Sequence, residues 1–201
     1  MTRKRTIDRP PGDTPGARPS PAPDPFRPWK VIARRELGGL PARLSAAVEV
    51  VELPDGRQVD DYLQLYVTDF VVVFAETAAG LVVCLRQYRH GIRRTSLELI
   101  AGRIEGQEDP LAAAQRELLE ESGYASEDWQ PLGSFVVSAT QGIGTGYAFR
   151  ARDAVERQKP CSGDLEDAVV ELLNRDELVA ALRRGEIVAG SQLAALALAL
   201  L

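Results

Sequence analysis

Two glutamates, Glu117 and Glu121, stand four residues apart in a segment with helical character, so both carboxylates would lie on one face of a helix. Glu120 follows Glu117 by three residues and would lie beside them. Carboxylates at these spacings repel one another, and a hard divalent cation such as Mg²⁺ relieves the repulsion while it bridges the carboxylates to a phosphate. Two glutamates alone, however, are more often the solvated face of a surface helix.

Two further residues belong to the pattern. Arg116 precedes Glu120 by four residues, and its planar guanidinium can hold a carboxylate in a fixed orientation. Gly102 permits an unusual backbone shape in the loop before the helix, where an exposed carbonyl would be a further hard ligand.

The full set of spaced residues is more specific than any pair within it. The set resembles the Nudix box, and chance rarely satisfies so many specified positions at fixed intervals. We therefore favour a metal site over a solvated face. The matching residues are Gly102, Glu108, Arg116, Glu117, Leu118, Glu120, Glu121, Gly123 and Tyr124.

The resemblance extends over about residues 29–200 and is strongest to the branch of ADP-ribose pyrophosphatases and nucleotide-sugar hydrolases. It implies an α+β fold, the Nudix α/β/α sandwich with a mixed sheet, preceded by N-terminal antiparallel strands. The segments that carry it outside the box are Val51–Gly56, Arg86–Gly91, Leu97–Gly102 (with Ile100 in place of a proline) and Gly185–Ile187.

The same resemblance implies roles for individual residues. Metal ligands would be Glu117, Glu121 and the backbone carbonyl of Ala101, with Glu120 close by. Gly102, Glu108 and Arg116 would be mainly structural, the arginine holding the glutamates in place. Arg89 and Ser138 would bind substrate, Arg89 through the phosphates, although an arginine at a strand end can also be a solvated surface residue.

A second acidic segment, Asp164-Leu165-Glu166-Asp167, stands where this branch has a loop that supplies a further ligand or the general base. Glu166 is the first candidate and Asp164 the second; a flexible acidic loop without a catalytic role is the alternative. The implied reaction is attack of water on one phosphorus of a diphosphate, assisted by Mg²⁺ or Mn²⁺, with a carboxylate taking the proton. ADP-ribose would give AMP and ribose 5-phosphate.

Two departures from the branch leave the substrate open. The stretch Ser138–Gly146 replaces the usual Ser-Pro-Gly and acidic residue, and no carboxylate occurs between Ser138 and Arg152. No aromatic residue lies between Glu36 and Tyr62, where relatives often stack the base. The alternatives are another nucleoside diphosphate-sugar, a different nucleotide such as coenzyme A, NADH or a nucleoside triphosphate, and a non-catalytic nucleotide sensor.

The alternation of apolar and polar residues, together with turn-forming residues, predicts the helices and strands that must position these residues. A helix begins at Asp109-Pro110 and ends at Ser122-Gly123, and two further helices cover Asp176–Arg184 and the residues after Ser191. The predicted strands are Trp29–Arg34, Ala42–Leu53, Val59–Tyr66, Phe70–Ala75, Leu81–Tyr88, Trp129–Ser138, Gly146–Ala151 and Ala168–Leu173. We expect a disordered proline-rich tail over residues 1–28, N-terminal strands over 29–66 and the hydrolase domain over 67–201.

Composition excludes several other classes of protein. A net charge of −5 among 201 residues argues against a nucleic-acid binder, which usually carries a basic patch. No apolar run is long enough for a spanning helix or a signal sequence, so we expect a cytoplasmic protein without membrane contact. One histidine and two distant cysteines offer no zinc or triad chemistry. Since the branch commonly dimerises by exchanging N-terminal strands, we expect a homodimer formed through residues 29–66.

Overall fold

The computed structural model describes residues 27–41, 44–161 and 168–201. The predicted tail, apart from residues 27–28, and the acidic loop with Asp164 and Glu166 lie outside these ranges. The strands are β1 (Lys30–Glu36), β2 (Leu44–Glu52), β3 (Gln58–Val67), β4 (Phe70–Ala75), β5 (Val82–Arg89), β6 (Arg94–Arg103), β7 (Tyr124–Ala125), β8 (Asp128–Ser138), β9 (Ile143–Arg152), β10 (Val155–Glu156) and β11 (Ala168–Leu173). The α-helices are α1 (Pro110–Glu117), α2 (Arg175–Arg183) and α3 (Gly190–Leu200).

A six-stranded mixed sheet forms the centre of the molecule, with the order β11-β5-β6-β4-β9-β8. β4 and β9 run parallel, and the other neighbours are antiparallel. Continuous apolar runs such as Val71–Ala75 are buried on both faces, as expected for strands covered by helices on either side.

Two apolar layers lie on opposite faces of this sheet. On one face, Val72, Leu97 and Leu99 pack with Leu178 of α2 and Leu196 of α3. On the other face, Val71, Val73 and Ile100 pack with Ala114 of α1 and with Leu118. Alternate residues of one strand therefore serve different layers, and the α+β, α/β/α architecture expected from the sequence is confirmed.

The helix that bears the carboxylates begins and ends with local signals. The Asp109 side chain accepts from the amides of Leu111 and Ala112, with Pro110 at the first helical position. Gly123 ends it with a φ of 78°, a left-handed conformation that glycine adopts without steric cost. The predicted bounds are correct, but the sequence did not predict that Leu118–Ser122 form a π-helical turn, here called the wide turn.

The sequence analysis also missed strand β6. Its residues Ser96 and Glu98 are polar, yet both are buried, at 0% and 5% exposure. Their hydrogen-bond partners come from distant segments. Because these polar residues are buried, the strand lacks the alternation of apolar and polar residues that marks a half-buried strand. The other predicted strands and helices are confirmed with shifts of a few residues at their ends.

Strands β1, β2 and β3 form a separate antiparallel sheet that meets the central body at the β8–β9 loop. The Tyr62 hydroxyl donates to the Thr140 carbonyl at 2.5 Å, and the Leu65 amide donates to the Gln141 carbonyl at 3.0 Å. Within the described ranges, no helix is long and apolar enough to cross a membrane.

Candidate active site

The end of α1 lies directly against strand β6 at Gly102. A Cβ atom added to Gly102 would fall 1.8 Å from the Glu117 carboxyl carbon, so close that the carboxylate would have to move. The missing side chain of Gly102 therefore creates the space in which the Glu117 carboxylate lies.

Glu121 reaches the same stretch of β6 from the wide turn. Its Oε2 atom accepts a hydrogen bond from the Ala101 amide at 3.0 Å, and the residue is only 8% exposed. Glu117 and Glu121 are thus brought together at two consecutive residues of one strand. This is the convergence that the sequence spacing predicted.

Arg116 connects the remaining acidic residues of this region. Its guanidinium donates to both carboxylate oxygens of Glu108 (3.1 and 3.0 Å), to Glu117 (2.8 Å) and to Glu120 (3.2 Å). It also donates to the Arg103 carbonyl at 2.9 Å, which ties the loop before α1 to the helix.

The proton affinities follow from this geometry. Hydrogen bonds from Arg116 lower the pKa of Glu108, and those to Glu108 and Glu117 raise the pKa of Arg116. Arg116 therefore remains charged and fixes both the loop and the carboxylate orientation.

The donor set at this position fits a hard divalent cation in part. Glu117 and Glu121 supply carboxylate oxygens, the ligands that Mg²⁺ prefers. In the described portion of the chain, no three Asp, Glu, His or Cys side chains converge into a ready ligand set. A cation held here would therefore draw further oxygens from a backbone carbonyl, from water and from a substrate phosphate, which is the usual coordination of Mg²⁺ in phosphate chemistry.

A cavity of about 650 Å³ opens beside these residues, with Ala101 in its wall. It forms where the central sheet parts, because β4 pairs with β6 only from Ile100 onward. Residues 94–99 of β6 pair with β5 on one edge, and residues 186–192 cover the other edge, which β4 leaves free. The Leu97 amide donates to the Glu186 carbonyl at 2.9 Å, and the Gln192 side chain binds both the amide and the carbonyl of Leu99. The volume is within the range of small-molecule sites.

Arg89 lies in the wall of this cavity and is held by a buried carboxylate. Its Nη2 atom is 2.6 Å from Oε2 of Glu98, whose side chain is 6% exposed, and Gln87 donates to the same oxygen at 3.2 Å. Glu98 is a residue that the sequence analysis missed. Its signal was a charge surrounded by apolar residues in Leu97-Glu98-Leu99-Ile100.

Ser138 lies elsewhere, at the end of β8 next to the β8–β9 loop. Its hydroxyl bonds to the Gln141 side chain and accepts from the Gln141 amide, and it does not line the cavity. Glycine allows close packing next to this loop: a Cβ at Gly144, the second residue of β9, would lie 2.7 Å from Val67 of β3. In this structure the N-terminal sheet packs against the β8–β9 loop.

The chain that leads to the acidic loop is anchored at the wide turn. The Cys161 amide donates to the Glu120 carbonyl at 2.7 Å, and the Arg157 amide donates to the Gly123 carbonyl at 2.8 Å. Residue 161 therefore lies against the backbone of the wide turn, and in the sequence it comes shortly before Asp164 and Glu166.

Comparisons with known proteins show which proteins this chain is similar to. The family model described as NUDIX domain matches residues 65–195. The chain is 30% identical over 133 residues to the ADP-ribose pyrophosphatase of Bacillus subtilis (strain 168), covering 65% of this chain and 71% of that protein. It is 32% identical over 126 residues to the methanol dehydrogenase activator of Bacillus methanolicus, covering 63% and 67%. A crystal structure of an ADP compounds hydrolase is similar with a TM-score of 0.74 at 16% identity, covering 87% of this chain and 93% of that one.

Proposed function

The chain belongs to the Nudix family and is a Nudix hydrolase, and we propose that it cleaves the diphosphate of ADP-ribose in a Mg²⁺-dependent reaction that gives AMP and ribose 5-phosphate. The observation that carries the proposal is the approach of Glu117 and Glu121 to consecutive residues of β6, beside a cavity with Arg89 in its wall. Nudix hydrolases generally use divalent metal ions.

In this proposal Glu117, Glu121 and the Ala101 carbonyl hold the cation. Bound there, Mg²⁺ would neutralise phosphate oxygens and lower the pKa of the attacking water. Manganese is a suitable substitute because it accepts the same oxygen ligands.

The remaining steps belong to the side chains. Arg89, oriented by Glu98, binds the diphosphate as a fixed fork of donors. The Arg116 guanidinium holds the carboxylates of Glu117 and Glu120 in a fixed orientation. Water forms a bond to one phosphorus, the bridging phosphorus–oxygen bond breaks, and a carboxylate accepts the proton from water. Glu166 is our first candidate for that base, Asp164 the second and Glu120 the third.

The choice of ADP-ribose rests on the relatives. One is an ADP-ribose pyrophosphatase, and the similar solved structure is an ADP compounds hydrolase. The methanol dehydrogenase activator is a relative whose name describes action on another protein, so binding without hydrolysis is the competing function. The paired glutamates favour hydrolysis, because a sensor of nucleotides does not require both of them.

A substrate panel tests the proposal. ADP-ribose, ADP-glucose, GDP-mannose, NADH, diadenosine polyphosphates and coenzyme A are each incubated with the full chain and Mg²⁺, and the products are separated by ion-exchange chromatography. We expect the highest kcat/KM with ADP-ribose, with AMP and ribose 5-phosphate as products. A higher kcat/KM with another compound would identify that compound, and not ADP-ribose, as the substrate. The absence of any turnover with Mg²⁺ or Mn²⁺ would favour the binding function.

A further inference from the structure

The wide turn at the end of α1 stands between the two carboxylates of the site. Glu117 is the last residue of the regular helix, and Glu121 lies within the π-helical turn Leu118–Ser122. A π-helical turn is rare and places its side chains at different angles from those of a continued α-helix. The direction of Glu121 relative to Glu117 therefore depends on what holds this turn open.

Ser122 supplies a side-chain link inside the turn. Its Oγ atom donates to the Leu118 carbonyl at 2.5 Å and accepts from the Tyr124 amide at 3.2 Å. One hydroxyl thus joins the start of the wide turn to the chain that leaves it. The residue is only 2% exposed, so a lost hydroxyl would leave buried backbone groups with fewer partners.

The residues that precede Ser122 in the wide turn are fixed by contacts from outside the turn. Leu118 is fully buried in the apolar layer against the central sheet, and Glu121 accepts from the Ala101 amide. The Glu120 carbonyl accepts from the Cys161 amide. The Ser122 hydroxyl therefore acts within a turn whose other residues contact the apolar layer, strand β6 and the chain at residue 161.

From these contacts we infer that Ser122 is a positioning residue: its hydroxyl holds the wide turn and thereby directs the Glu121 carboxylate at the Ala101 amide. The Nudix box as matched in this chain leaves position 122 unspecified, so the assignment concerns this chain's own residue. The inference rests on the proposed function where it concerns metal binding, but the geometry it describes can be measured without metal.

The test is amide hydrogen exchange by NMR on the full chain with Ser122→Ala and Ser122→Thr. The exchange rate of the Ala101 amide reports on its hydrogen bond to Glu121. The exchange rate of the Leu99 amide, which lies on the same strand and donates to the Gln192 side chain at 2.9 Å, reports on general opening of the strand. Loss of a hydrogen bond worth about 1–1.5 kcal/mol corresponds to roughly tenfold faster exchange. We expect that increase at Ala101 in Ser122→Ala, little change at Leu99, and recovery in Ser122→Thr.

Ser126→Ala is the matched control. The Ser126 hydroxyl also donates to a carbonyl, that of Arg152, and accepts from an amide, that of Asp128 at 3.0 Å, but it lies outside the wide turn. We expect no change at Ala101 in this variant. Unchanged exchange at Ala101 in Ser122→Ala, or equal acceleration at Ala101 and Leu99, overturns the inference.

Calorimetric titration with Mn²⁺ then connects the turn to the metal site. We expect Ser122→Ala to bind Mn²⁺ about tenfold more weakly than the wild type, the range found for residues that orient metal ligands. We expect Ser122→Thr and Ser126→Ala to remain close to the wild type. If the wild type binds no Mn²⁺, the proposed metal site fails, while the exchange at Ala101 still decides the role of Ser122.

Discussion

The Glu121 carboxylate is held between the wide turn and β6, with one oxygen bonded to the Ala101 amide. Glu121→Gln keeps the size of the side chain but removes the negative charge that a divalent cation requires. We expect kcat/KM for ADP-ribose to fall by at least about hundredfold, since even residues that only orient metal ligands contribute up to that factor. Steady-state kinetics with Mg²⁺ measure the loss.

The control for this change is Glu127→Gln, because Glu127 is an exposed glutamate outside the site. Both variants should give the far-ultraviolet circular dichroism of the wild type. Turnover by Glu121→Gln at the rate of Glu127→Gln would contradict the assignment of Glu121 as a metal ligand.

Arg89 and Glu98 form a pair with unequal environments, the arginine partly exposed and the glutamate buried. Arg89→Ala removes the proposed contact with the diphosphate and the main counter-charge of Glu98. We expect KM for ADP-ribose to rise by about tenfold or more and the free energy of unfolding to fall by about 1–3 kcal/mol.

A double variant separates the two effects. Arg89→Ala with Glu98→Gln removes the buried charge as well as its partner, so most of the lost stability should return in urea denaturation while KM stays high. Recovery of both quantities would mean that Arg89 acts only as the partner of Glu98 and does not bind substrate.

Gly102 is where two elements, α1 and β6, come closest within the site. In Gly102→Ala the added methyl group would overlap the Glu117 carboxylate, so that the side chain must move away from β6. We expect a loss of kcat of about tenfold or more with a smaller change in KM, because misplacing a ligand affects the reaction more than substrate binding.

Gly38→Ala is the appropriate comparison, since a Cβ at Gly38 would meet nothing within 4 Å. That variant should keep the kinetic constants of the wild type. If Gly102→Ala were equally active, the approach of Glu117 to β6 would not be required for catalysis.

The loop before α1 is joined to the helix by Glu108 and Arg116, and this link should depend on pH. Arg116 lowers the pKa of Glu108 in the folded chain below its ordinary value of 4.5. A lowered folded-state pKa stabilises the fold above the unfolded-state pKa, and that stability is lost as the pH falls through the folded-state pKa. We expect Glu108→Gln to be less stable than the wild type at pH 7 and nearly equal to it well below pH 4.5.

Urea denaturation at a series of pH values measures this difference. Glu105→Gln, a change at an exposed neighbour, should differ little from the wild type throughout. A constant difference between Glu108→Gln and the wild type from pH 7 to pH 3 would show that the charge of Glu108 is not what stabilises the loop.

The elements differ in how far local sequence determines them. The bounds of the carboxylate helix were predictable because Asp109, Pro110 and Gly123 act within a turn of the chain. Strand β6 was not, because Ser96 and Glu98 are buried only through partners supplied by Gln87, Arg89 and Glu186. The wide turn was also unpredictable, since Leu-Leu-Glu-Glu-Ser favours an ordinary helix and the turn depends on tertiary contacts.

In the candidate site, too, some features follow from local sequence and others depend on contacts between distant segments. That Glu117 and Glu121 lie on one side of the helix was predictable because the spacing of four residues is local, although the wide turn between them was not. Their contact with Ala101 and Gly102, the cavity in the parted sheet and the Arg89–Glu98 pair arise only when distant segments meet. Spacing in the sequence thus predicted the family, whereas the wall of the cavity is a property of the assembled fold.

At the scale of the whole molecule, the N-terminal sheet ends in an exposed edge strand, β1. All seven residues of the edge strand β1 are exposed, and Trp29, Val31 and Ile32 leave 44–52% of their surface accessible. An edge strand with exposed apolar side chains readily pairs with another chain. We expect a second copy of this chain to cover β1, giving a homodimer of about 44 kDa, twice 21.9 kDa, with an interface of roughly 2,000 Å² or more.

Light scattering coupled to size-exclusion chromatography measures the mass. Val31→Asp with Ile32→Asp should shift the protein toward 21.9 kDa, because both charges would be buried in the interface. Val169→Asp is the matched control. Val169 is 63% exposed on β11, an edge strand of the central six-stranded sheet, and its variant should remain a dimer. A wild-type mass of one chain at micromolar concentration would contradict the dimer, and dissociation by Val169→Asp alone would place the interface on β11, since only a buried position is sensitive to an added charge.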